Sequence, residues 1–195
     1  NPSGAVIPQQ QLQHLIGLAE RYDFIIAADE CYSELYFDEA QPPVGLLQAA
    51  AAMGNTDYWR CVVFHSLSKR SNAPGLRSGF VAGDAQVLQD FLRYRTYHGC
   101  AMPLPHQQVS IAAWNDEEHV LTNRKLYNEK FQAVQNELSG VLPITIPDAS
   151  FYLWPNLGVD DKQVALQWLE KANIHVLPGQ YLSRDVDGVN PGFGH

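Results

Sequence analysis

Three short apolar runs constrain this chain more than any other feature. Phe24-Ile25-Ile26-Ala27-Ala28 runs into Asp29, Cys61-Val62-Val63-Phe64 into His65 and Ser66, and Gly79-Phe80-Val81-Ala82-Gly83 into Asp84. The first two lack polar alternation, which predicts strands buried on both faces as in a parallel sheet; the third makes a further candidate strand. Helical periods surround them. Pro8 to Tyr22 carries Leu12, Leu15, Ile16 and Ala19 on one face behind a proline suited to a first turn. Asp84 is an N-cap candidate for a helix to about Tyr97, and Pro105 opens another that reaches Trp114. Strands interleaved with helices predict an α/β fold, whose ligands gather at the carboxyl ends of the strands.

Asp38 to Asp57 reads as a loop and a short helix, with Pro42-Pro43 and the alanines from Ala49 to Ala52. Asn115-Asp116-Glu117-Glu118 caps a long helix to about Leu138, which Gly140 and Pro143 end. Beyond it, Ser150 to Trp154 predicts a strand, Asp160 to Ala172 a helix and Ile174 to Leu177 a strand. This β-α-β tail suggests a second, smaller domain.

At 195 residues and 46% hydrophobic, the chain can fill a core of its own. The 13 basic residues against 21 acidic ones form no basic stripe, which argues against nucleic acid and anionic membrane and for a small-molecule ligand. No apolar run approaches the roughly 20 residues of a membrane span. Cys31, Cys61 and Cys100 are odd in number and widely spaced, which predicts a reducing compartment, with the cytoplasm as default. No His or Cys spacing fits a common metal motif, so no metal site is expected.

The chemistry gathers at the ends of those runs. Lys69 stands in Ser66-Leu67-Ser68-Lys69-Arg70, Arg77 follows in Pro74-Gly75-Leu76-Arg77, and Asp29-Glu30-Cys31-Tyr32 precedes both. A site that moves amino groups through an aldehyde cofactor needs a Schiff-base lysine, an acid facing the pyridine nitrogen, a donor to the phenolic oxygen and a cationic phosphate clamp. Lys69, Asp29, Tyr32 and Arg77 supply those types in order, with the Ser66 hydroxyl as a further phosphate ligand. Singly, each has a plainer explanation. Lysines are mostly exposed, an aspartate after a strand often caps a turn, and a tyrosine often packs half-buried. Arg70 could equally be a solvated charge.

The ordered set Asn1-Pro2-Ser3-Gly4, Asp29-Glu30-Cys31-Tyr32, Ser66-Leu67-Ser68-Lys69 and Pro74-Gly75-Leu76-Arg77-Ser78-Gly79-Phe80 resembles the fold-type I pyridoxal-phosphate aminotransferases of class I and II. The resemblance implies pyridoxal 5'-phosphate as cofactor and residues 1–114 as the remainder of the large three-layer α/β/α cofactor-binding domain. Residues 115–195 would be a small α+β C-terminal domain, truncated. It implies Lys69 as the catalytic Schiff-base lysine, Asp29 at the pyridine nitrogen, Asn1 and Tyr32 at the phenolic oxygen, and Ser66 with Arg77 at the phosphate. It further implies an N-terminal half and a carboxylate-binding arginine beyond these 195 residues, which alone are expected to be inactive. Family members are homodimers acting on an amino acid and a 2-keto acid.

Phe91 to Pro103, with Ser68-Lys69-Arg70-Ser71-Asn72, resembles the succinyl-diaminopimelate branch of bacterial lysine biosynthesis. That resemblance implies transfer from glutamate to N-succinyl-2-amino-6-ketopimelate. Arg93 and Arg95 could assist a dicarboxylic substrate or be exposed helix charges. Two alternatives stand beside this reading: a kynurenine- or methionine-type aminotransferase, and a non-catalytic, effector-sensing aminotransferase-like module.

Overall fold

A computed structural model describes residues 2–195. The chain divides into two compact units, one of residues 5–129 with 148–151, the other of the residues up to Gly4 with 130–147 and 152–195. In the first unit, helix α1 (Gln9–Tyr22) precedes strand β1 (Ile26–Asp29), helix α2 (Leu46–Ala52) and strand β2 (Cys61–Ser66). A short helix α3 (Leu67–Arg70), strand β3 (Gly79–Gly83) and helices α4 (Ala85–His98) and α5 (Leu104–Trp114) follow. Helix α6 (Glu118–Leu138) crosses the division between the two units.

The sheet order is β1-β2-β3. β1 pairs parallel to β2 with Asp29 opposite Phe64, whereas β3 returns antiparallel with Gly79 opposite Ser66. At the far end of that ladder Gly83 has φ 134°, and a Cβ there would lie 2.0 Å from the Cys61 carbonyl oxygen, so only glycine fits.

The core forms where the apolar face of α1 meets α2 and β2. Leu12 and Ile16, one helical turn apart, pack with Leu46, Ala49, Ala50, Cys61 and Val63. Ile16 and Leu46 are 1% exposed, and burial of each contributes about 1.5–3 kcal/mol. β1 departs from the expectation of burial on both faces. Ile26 and Ala28 pack against the core, while Ala27 and Asp29 on the opposite face are exposed, as the pleat dictates when one face is covered. Glu30, just beyond β1, accepts the Leu46 N–H at 2.7 Å and so caps α2.

In the second unit, helix α7 (Asp161–Ala172) is capped by Asp160, which accepts the Lys162 N–H at 3.1 Å. Buried Asp161 accepts from the Gln180 backbone and side chain and from the Gly194 N–H. Burial pushes its carboxyl up, and these donors overcome that to hold it below the usual range. The two strands expected around α7, at 150–154 and 174–177, do not form: the β-α-β tail reduces to α7 between segments without regular secondary structure. A strand needs a neighbouring backbone to exchange hydrogen bonds with, and among the described residues the pairing beside Ser150 is an isolated bridge, Ala149 to Tyr36.

Candidate active site

The carboxyl ends of β1 and β2 lie side by side, and Asp29, Tyr32, Ser66 and Lys69 stand at or just beyond them. At the end of β2 the chain turns directly into α3. Ser66, still extended at φ −152°, accepts the Ser68 N–H with its own hydroxyl oxygen at 3.0 Å, while Leu67 is fully buried. This cap and this anchor present Lys69, half-buried, one turn later.

The Lys69 Nζ lies 4.7 Å from the centroid of the Phe151 ring and 5.9 Å from that of Tyr32. Those two rings are stacked, 5.4 Å apart and 6° from parallel. Among the described residues no carboxylate lies within ion-pair distance of the Lys69 amine. Its surroundings are therefore aromatic, a cation–π contact worth about 0.5–2 kcal/mol.

Asp29 ends β1 and is exposed, contrary to the buried setting that the apolar run implied; one of its oxygens accepts the Cys31 N–H at 3.1 Å. Cys31 feels the charges of both Asp29 and Lys69. Burial first, then a hydrogen bond to Asp29 and its negative charge, push the thiol up to about 11, while the charge of Lys69 pulls the other way. The Asp29 carboxylate caps the turn that carries Tyr32, and the Tyr32 ring stands 5.9 Å from the Lys69 Nζ, so acid and amine lie at the same patch.

The phosphate candidates stand differently. The Ser66 Oγ lies 2.7 Å from the Ser68 Oγ and 3.0 Å from the Ser78 carbonyl oxygen, so its first task is the strand-to-helix turn. Arg77 adopts a left-handed conformation at φ 54° after the 3-10 turn Pro74–Leu76, and its exposed guanidinium donates to the Pro74 carbonyl at 2.9 Å. A non-glycine residue in that region costs about 1 kcal/mol and recurs at functional sites. Asn1 lies outside the described residues.

Three neighbours escaped the sequence reading. Phe151 sat inside an expected strand, where no local signal marks an aromatic for a distant tyrosine. His65 accepts the Ser66 N–H at Nδ1 at 2.7 Å, which leaves Nε2–H to face the Ser33 Oγ at 3.1 Å. Its ring packs edge-on to Trp114, and burial holds its pKa below the ordinary value, so it is a neutral packing residue. Arg70 is no solvated charge: at 3% exposure it pairs with Glu117, donates to the Ala113 carbonyl at 2.8 Å and covers the Trp114 ring. It ties the lysine-bearing turn to α5.

The donor set suits a phosphorylated pyridine aldehyde: a primary amine on an aromatic wall, an open carboxylate in the same patch, and hydroxyls and a guanidinium at the following turns. Among the described residues no group of three His, Cys, Asp or Glu could hold a metal ion, and no helix is long and apolar enough to cross a membrane.

The family model for class I and II aminotransferases matches residues 1–190. A probable aminotransferase of Mycobacterium tuberculosis is 32% identical over 182 residues, 93% of this chain and 42% of that protein. An LL-diaminopimelate aminotransferase of Maridesulfovibrio salexigens is 27% identical over 192 residues, 96% of this chain and 48% of that one. Among solved structures, an aminotransferase of Neisseria meningitidis superposes with a TM-score of 0.91 at 53% identity, covering 98% of this chain and 49% of that one. A probable N-succinyldiaminopimelate aminotransferase of Thermus thermophilus gives 0.83 at 27% identity, covering 100% and 50%. The chain spans about half the length of the relatives it matches.

Proposed function

The chain belongs to the class I and II aminotransferases, and from that premise we propose that the protein it comes from transfers an amino group from an amino acid to a 2-keto acid with pyridoxal 5'-phosphate. The observation that carries this is the Lys69 amine on the Tyr32–Phe151 wall, in the patch that Asp29 shares.

When bound, the cofactor supplies an aldehyde for amines to condense with and a ring that accepts the electron pair released at the substrate α-carbon. Lys69 would hold the cofactor through its amine and serve as general base toward the proton at the substrate α-carbon. Asp29 would face the ring nitrogen, and Tyr32 and Asn1 would donate to the phenolic oxygen. Ser66 and Arg77 would bind the phosphate, the latter with a planar fork. In this reading residues 1–114 belong to the cofactor-binding domain and 115–195 to the small one.

The acceptor we assign is N-succinyl-2-amino-6-ketopimelate, with glutamate as donor. Relatives named for LL-diaminopimelate and N-succinyldiaminopimelate support a dicarboxylic, diaminopimelate-type substrate. We also assign a homodimer in the cytoplasm. Leu92, Tyr97, Leu104 and Ile111, on α4 and α5, are 62–80% exposed, an apolar surface that fits a second subunit. The full-length protein, assayed with glutamate and this acceptor beside aromatic and methionine-derived keto acids, tests the assignment. Faster turnover of the aromatic acids would replace the acceptor, and no turnover of any keto acid would favour an effector-sensing module.

A further inference from the structure

Outside the lysine site, one cluster has the connectivity of a nucleophile, a base and an orienting acid. The His119 Nε2 lies 2.8 Å from the Ser71 Oγ, and its Nδ1 lies 2.7 Å from an Asp116 Oδ. Ser71 closes α3 in the bridge region at φ −108°, ψ 9°, where many active-site residues sit. Asp116 stands just ahead of α6 and also accepts the Glu118 N–H at 3.0 Å. These bonds hold its carboxyl below the usual range, the His119 contact being the largest cause. The acid therefore stays ionised and keeps the imidazole proton on Nδ1, which leaves Nε2 to accept from the Ser71 hydroxyl.

The three residues open onto a surface cavity of about 430 Å³ that Asn123 and Leu126 also line. Asn123 spends one amide N–H on the Lys69 carbonyl at 3.3 Å and has a second to offer an oxyanion. Glu118 adds a second carboxylate beside Asp116, so the cavity disfavours anionic ligands.

We propose that Ser71, His119 and Asp116 form a second, nucleophilic site that takes the acyl group of small uncharged esters. The Ser71 Oγ attacks the ester carbonyl carbon and its proton passes to His119 Nε2. The bond to the alcohol oxygen breaks, and that oxygen leaves with the proton from Nε2. Water then attacks the acylated Ser71, gives a proton to Nε2, and releases the carboxylic acid as the proton returns to the Ser71 Oγ. The cycle consumes one ester and one water and needs no oxidant or reductant.

The test treats the full-length protein with diisopropyl fluorophosphate, which exchanges its fluoride for a serine oxygen, and maps the adduct by mass spectrometry. An adduct on Ser71, formed about 10²-fold more slowly in His119→Gln, is expected. In parallel, 4-nitrophenyl acetate should be hydrolysed about tenfold faster than the anionic 4-nitrophenyl succinate, and Ser71→Ala should remove that activity. No adduct on Ser71, an adduct on other residues only, or a rate unchanged in His119→Gln would overturn the proposal. Because the adduct is read at Ser71, such a failure leaves the reading of Lys69 untouched.

Discussion

The ring of Phe151 lies parallel to that of Tyr32, with centroids 5.4 Å apart and 6° between the planes. The Lys69 amine stands over the Phe151 ring at 4.7 Å, so the pair forms one wall of the lysine's surroundings. Aromatic pairs of this kind contribute about 0.5–1.5 kcal/mol beyond their buried area. Phe151→Leu, which keeps most of the volume, should lower unfolding free energy by about 1 kcal/mol in denaturant titrations. It should also weaken cofactor retention in the full-length protein, measured by dialysis and absorbance.

Lys69→Ala should leave stability close to wild type, because the amine is half-exposed and its contacts are the two rings. Transamination should fall by more than about 10³-fold, and the near-visible absorbance of the bound cofactor should disappear. An unchanged spectrum would refute Lys69 as the attachment point.

Asp84 ties three backbone donors together, accepting from Arg60, Gln86 and Val87 at 2.7–3.2 Å. The Arg60 N–H is the largest cause that holds its carboxyl below the ordinary 3.8. A group whose folded pKa is depressed contributes stability above its unfolded value and loses it as the pH falls through the folded one. Asp84→Ala should therefore cost about 2 kcal/mol at pH 7. The gap between variant and wild type should narrow below pH ~4, as denaturant midpoints across the range would show.

Gly83→Ala should be among the most damaging single changes in the first unit. The new methyl group would sit 2.0 Å from the Cys61 carbonyl oxygen at a residue with φ 134°. The cost should exceed about 3 kcal/mol, enough to leave little folded protein by circular dichroism.

The sequence by itself determined the local elements and the chemistry they carry. The limits of β2 and β3 match the apolar runs, α4 and α5 begin within a residue of their Asp84 and Pro105 signals, and Asp29, Tyr32 and Lys69 stand out by type and order. Such features rest on periodicity and capping, which act over a few residues. Only the tertiary structure decided that Phe151 meets Tyr32, that Arg70 is buried against Glu117 and Trp114, and that Ser71 faces His119 across a long span of chain. It also decided that 150–154 and 174–177 do not become strands. A stacking partner, an ion pair or a ladder depends on a second segment arriving from far along the chain, and no local pattern encodes that arrival.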